Sequence, residues 1–164
     1  MSLRSLLNHC IRMLAVLLIS ATPATAAPQS VQPFDTDTWR TLKRSPQRSL
    51  QRPLVVVFST TDCTHCPRVI DEMAAAVRSA RVKARLVVVV MDGAGQENAL
   101  RKNPHYRDAR ALYVFAGDDM ALRHTVNPEW RGLTPYVALL PVKGEARFHA
   151  GSPPAAAVRE FLKP

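Results

Sequence analysis

Cys63-Thr64-His65-Cys66 is the part of the chain whose residue types and spacing could do chemistry. Two cysteines three positions apart can pass between a dithiol and a disulfide with little backbone movement. If a helix opens here, unpaired amide donors and the helix dipole favour a thiolate at its N-terminus. Cys63, the outer sulfur, is then the candidate nucleophile, and Cys66, one turn inward, the resolving thiol. An imidazolium at His65 would stabilise the Cys63 thiolate, although a histidine is also simply polar enough for an exposed helix start. Asp62 acts in the opposite sense, because a carboxylate beside a thiol raises its pKa. A structural zinc site usually needs a second pair of ligands, so the redox reading leads.

The elements that must position this pair follow from apolar spacing. Leu54 to Phe58 is a continuous β-branched run, as in a central strand covered on both faces. From Cys66 to Arg81 the stripe Val69, Ile70, Met73, Ala76 and Val77 is helical. Pro67 belongs in a first turn, so the helix is expected to begin at Thr64 or His65. Arg85 to Met91 reads as a second buried strand ending in the loop Asp92-Gly93-Ala94-Gly95, with a short helix over Gln96 to Lys102. Ala111 to Phe115 is a third strand and Asp118 to Val126 a short helix. Strands over Tyr136 to Leu140 and Ala146 to His149 flank a turn at Lys143-Gly144, and a last helix runs from Pro153 to Leu162. Before the first strand, Asp35 to Lys43 fits a short helix capped by Asp35 or Thr36, with Trp39 and Leu42 on one face. Residues 27–34 read as a loose leader and Ser45 to Arg52 as a loop.

The first 26 residues have the form of a secretory signal. Arg4 and Arg12 supply charge, Met13 to Ile19 is apolar, and Ala24-Thr25-Ala26 offers small residues for cleavage after Ala26. The apolar stretch is well short of the roughly 20 residues that span a bilayer, so retention as an anchor is the weaker alternative. Cys10 leaves with the signal. The remaining chain of about 138 residues suits one domain: a leader and short helix over 27–49, then the main domain over 50–164. Two cysteines are not a disulfide framework. A bacterial export signal would deliver them to the oxidising periplasm, where a partner must reduce them.

The whole chain carries 22 Lys plus Arg against 13 Asp plus Glu. The cations are scattered, without a nucleic-acid module or interleaved aromatics, so nucleic-acid binding is not expected. A solvated basic surface is the plain reading, with attraction to acidic partners or an anionic membrane as a further one.

The order strand, C-x-x-C helix, strand, helix-rich connection, strand pair, helix resembles the thioredoxin superfamily. Leu112 to Gly151 is similar to the secreted TlpA/ResA-type thiol-disulfide reductases, and residues 50–163 fit their plan. The resemblance implies an α/β thioredoxin-like three-layer fold, a central mixed sheet flanked by helices. It also implies thiol-disulfide oxidoreductase activity through Cys63 and Cys66, with no cofactor and no metal. Thr134-Pro135 matches the family's hairpin-opening proline, which implies a cis bond, with Thr134 and Pro135 as a substrate platform. The chain departs from the family in having Asp62 where Trp is common before the first cysteine. Val69 and Ile70 stand where a carboxylate is frequent, and the central strand lacks a buried acid.

The implied partners are protein disulfides or dithiols and a membrane electron donor, for a chain that is not an integral membrane protein once its signal is removed. A reductase role, for example in cytochrome c or copper-site assembly, leads. A disulfide oxidase or isomerase is one alternative, although no inserted helical or dimerisation domain is visible. The other is a copper-binding chaperone of Sco-like type, which would need His65, His105, His124 or His149 to join the cysteines. Trp130-Arg131-Gly132, just before Thr134, could border a partner groove, or Trp130 could be core.

Overall fold

The computed structural model describes residues 30–48 and 52–163. The export signal expected over 1–26 lies outside the described residues. The elements are β1 (Val31–Phe34), α1 (Thr36–Arg48), β2 (Leu54–Ser59), α2 (Cys66–Ser79), β3 (Arg85–Val90) and α3 (Glu97–Lys102). A 3-10 turn (Pro104–Tyr106), β4 (Ala111–Phe115), α4 (Asp119–Val126), β5 (Tyr136–Leu140), β6 (Arg147–Ala150) and α5 (Ala155–Phe161) complete the chain.

The strands form one sheet in the order β1-β4-β3-β2-β5-β6. β1, β4, β3 and β2 run parallel, β5 is antiparallel to β2, and β6 to β5. Every residue of β2 and β5 is buried, as the unbroken apolar runs require of strands covered on both faces. Alternate side chains part to opposite sides. Val55, Val57, Leu86, Val88 and Val137 pack with α2, Leu100 of α3 and α5. Val56, Phe58, Val87, Val89 and Ala138 pack with Trp39 and Leu42 of α1 and Leu122 and Val126 of α4. The result is three layers, helix, sheet and helix, a mixed α/β sheet as the fold class requires.

Three expectations need correction. Val31–Phe34 is not part of a loose leader but the edge strand β1, paired in register with Leu112 to Phe115. Pro33 hides it in the sequence, and an edge is where a strand tolerates the missing N–H. The sheet therefore begins at Val31 rather than after residue 50. Helix α1 continues to Arg48 instead of ending near Lys43. Its start is as the capping residue dictates, with the Asp35 carboxylate accepting from Thr38 N at 2.7 Å. Helix α2 begins at Cys66, with His65 as its N-cap, rather than at Thr64 or His65.

Candidate functional site

The parallel order brings the C-terminal ends of β2 and β3 side by side, and the loops that follow them build the site. After Ser59 the chain turns through Thr60 to His65 and enters α2 at Cys66. Cys63 and Cys66 are joined as a disulfide with their Cα atoms 5.4 Å apart. Cys66 is 1 % exposed, whereas Cys63 is only half-buried against the same core. The Cys66 amide donates to Cys63 Sγ at 3.2 Å. No carboxylate stands in the first turn of α2, so the positive end of the helix is not offset by its own residues. The outer sulfur thus sits where negative charge is favoured, with a donor already directed at it.

Asp62 and His65 are both exposed. The His65 carbonyl accepts from Val69 N at 3.3 Å, but neither side chain makes a hydrogen bond or ion pair with a described residue. They flank the pair without being fixed by it.

The turn is held from beneath by residues that the sequence does not advertise. Asp92, in the loop after β3, accepts from Thr61 N at 2.8 Å and from Thr61 Oγ1 at 2.5 Å. The ladder continues one step past β3, with Met91 N donating to Ser59 O at 2.9 Å. Gly93 lets this loop lie close to the core. A Cβ there would stand 2.7 Å from Leu100 and 2.8 Å from Val114, inside any normal contact. Ser59 is fully buried, and its hydroxyl donates to Thr60 O. Burial pushes the Tyr106 phenol up from its ordinary range, its hydrogen bond with Ser59 draws it partly back, and Asp92 adds to the rise. A carboxylate closing the loop of one parallel strand over the loop of its neighbour is the signal that could have found Asp92.

The second wall comes from β5. The peptide bond between Thr134 and Pro135 is cis. Pro135 is buried, and its carbonyl accepts from Gly151 N at 2.8 Å. Thr134 is half-buried, and its hydroxyl lies 3.2 Å from that of Thr60. This places the Thr134-Pro135 turn beside the turn leading to Cys63. Trp130 is buried and stacks on Tyr136 with ring centroids 4.5 Å apart. Its Nε1 donates to Leu133 O at 3.0 Å. Trp130 therefore fills core and also braces the loop, while Leu133 projects outward at 69 % exposed.

The histidines weighed as metal ligands are dispersed. Nδ1 of His105 meets Asp71 Oδ2 at 2.8 Å, and His124 is exposed on α4. His149 lies on β6 opposite Val137, with its Nε2 buried and unpartnered. Burial, and then Arg147, lower its pKa from the ordinary histidine value. Among the described residues no group of three or more His, Cys, Asp or Glu side chains is arranged to hold a metal ion. Among the described residues the donor set of a Cys-Cys-His copper site is thus not assembled around Cys63 and Cys66.

No protein-family model matches the chain, and no curated protein matches it. Solved structures do. The reduced N-terminal domain of PilB from N. meningitidis is similar at 17% identity and a TM-score of 0.54, over 79% of this chain and 95% of that one. A thioredoxin-like protein in its oxidised form is similar at 16% identity and a TM-score of 0.50, over 68% of this chain and 78% of that one. A secreted Mycobacterium tuberculosis disulfide oxidoreductase, described as homologous to E. coli DsbE, aligns at 14% identity and a TM-score of 0.46, over 68% of this chain and 80% of that one. At these identities the likeness is one of fold. The chain has a thioredoxin-like fold, as its order of elements implies.

Proposed function

We propose that the protein is an exported thiol-disulfide oxidoreductase that reduces protein disulfides through Cys63 and Cys66. The observation that carries this reading is the asymmetry of the pair: Cys63 half-buried with an amide directed at its sulfur, Cys66 sealed behind it. In the dithiol form, the Cys63 thiolate attacks one sulfur of a partner disulfide, forming a mixed disulfide and releasing the partner's other sulfur as a thiolate. Cys66 then loses its proton and attacks Cys63 Sγ, closing the Cys63–Cys66 disulfide and releasing the second partner thiolate. Two electrons pass to the partner, and a dithiol donor must return them. A membrane donor facing the periplasm would suit a chain with the export signal read over residues 1–26.

Thr134 and Pro135 serve in this reading as the platform against which an extended partner segment lies. Its support is their position beside the turn that carries Cys63, and the partner's backbone would pair there as with a sheet edge. Asp62 and His65 tune the potential from opposite sides.

The test is reduction of insulin by the protein with a dithiol supplied. Cys63→Ser should abolish turnover, and Cys66→Ser should accumulate mixed disulfides. Equal activity in wild type and Cys63→Ser would sink the reading.

A further inference from the structure

The strand order that gathers chemistry at one end of the sheet gathers charge at the other. Arg52 lies two residues before β2, Arg85 is the first residue of β3, and Arg110 immediately precedes β4. Because these strands are parallel neighbours, their starting residues share one edge. Leu54 is paired with Arg85, and Arg110 N donates to Leu86 O at 2.7 Å. The arginines line an open cleft of about 860 Å³ together with Arg107. Asp108 is the one carboxylate among its described lining residues, and it is already engaged by Arg78. The stretches outside the described residues contain no Asp or Glu that could supply another.

Arg85 shows that this charge is unbalanced among the described residues. Its Nη2 donates to Ser45 Oγ at 3.0 Å, but its buried Nε meets no acceptor among the described residues. Burial first, and then the neighbouring charges of Arg52 and Arg110, lower its pKa from the ordinary arginine value. Converging guanidinium groups repel unless an anion sits among them, and their planar forks match the oxygens of a phosphate group.

We propose that this cleft is a phosphate-binding site, in which Arg52, Arg85 and Arg110 receive a phosphate mono- or diester and Arg107 adds charge at its wall. It lies at the opposite end of β2 from Cys63, about 20 Å away at 3.3 Å per strand residue, so occupancy leaves the redox loops uncovered. The phosphate can belong to a soluble compound or to an anionic lipid headgroup.

Pyrophosphate titrated calorimetrically into the full chain tests the site. Saturable binding is expected, weakened about tenfold or more in Arg107→Ser/Arg110→Ser, since each lost charge-assisted contact carries at least that factor. Arg52→Ser is the second variant. Arg101→Ser/Arg159→Ser removes the same net charge elsewhere and should bind as wild type, and insulin reduction should be unchanged in all of them. Vesicles distinguish the sources. Retention on phosphatidylglycerol beyond that on phosphatidylcholine, lost in Arg107→Ser/Arg110→Ser, assigns a headgroup. Pyrophosphate binding without that increment assigns a soluble phosphate. Binding of neither probe, or an equal loss in the control double variant, overturns the proposal.

Discussion

The hydroxyls of Thr60 and Thr134, 74 positions apart in sequence, meet at 3.2 Å. One belongs to the turn that delivers Cys63 and the other to the turn that opens β5. Thr60→Val keeps the shape and removes the bond, which is worth about 1 kcal/mol net. The expected result is a rise of about fivefold in KM for a protein disulfide, that energy expressed as an equilibrium factor. The rate of Cys63 with a small disulfide reagent should not change. Equal effects on both reactions would show that the contact serves Cys63 itself rather than docking.

Accessibility sets the order of modification. After reduction, limiting iodoacetamide should label Cys63 first, because Cys66, the first residue of α2, is buried in the core. Peptide mapping checks this, and preferential labelling of Cys66 would exchange their roles.

The Trp130 brace on the loop before Pro135 can be removed without emptying the core. Trp130→Phe keeps an aromatic ring above Tyr136 but deletes the donor to Leu133 O. Folding stability should fall by about 1 kcal/mol for the lost bond, plus a smaller packing loss. Exchange with protein partners should slow more than exchange with small disulfides. If both rates and the unfolding midpoint match wild type, the brace has no role.

Asp92→Ala leaves Thr61 N and Thr61 Oγ1 without their acceptor. Asp92 is exposed and water can replace it, so the cost in stability should stay near 1 kcal/mol. The visible consequence should be faster alkylation of Cys63 as its turn loosens, with Asp92→Asn intermediate. An unchanged alkylation rate would mean the turn is held by other contacts.

His149 gives a pH dependence with a definite sign. Burial, then Arg147, hold its folded pKa below the ordinary 6.5. The unfolded chain therefore binds a proton first as pH falls, so the contribution of neutral His149 is complete above 6.5. It erodes below that value until the folded pKa is passed. Urea midpoints measured from about pH 7.5 to about pH 5 should fall more steeply in wild type than in His149→Gln. Parallel slopes would refute the assignment.

Legibility in the sequence followed the strength of each local pattern. β2, β3, β4 and β5 announce themselves because both faces of each strand are covered, which leaves runs such as Leu54 to Phe58 without a polar interruption. β1 was hidden because Gln32 and Pro33 are exposed and only its pairing with β4 makes it a strand. Cys63 and Cys66 carry a spacing motif, and Thr134-Pro135 a resemblance. Asp92, Thr60 and Ser59 carry neither. Their roles arise only when parallel strands set their C-terminal loops side by side.

Trp130 also makes the molecule its own optical reporter. Of the two tryptophans, Trp39 is shut in the core at 1 % exposed, while Trp130 grips the carbonyl of a residue that faces outward beside Thr134. Indole emission responds to the partner of its N–H and to stacking neighbours, and both of those here belong to the loop or to the first residue of β5. With Trp39 replaced by Phe, a shift in emission on adding a protein disulfide would register docking against that loop separately from any change at sulfur. Binding and electron transfer could then be timed in one sample, using a chromophore the fold already places between them.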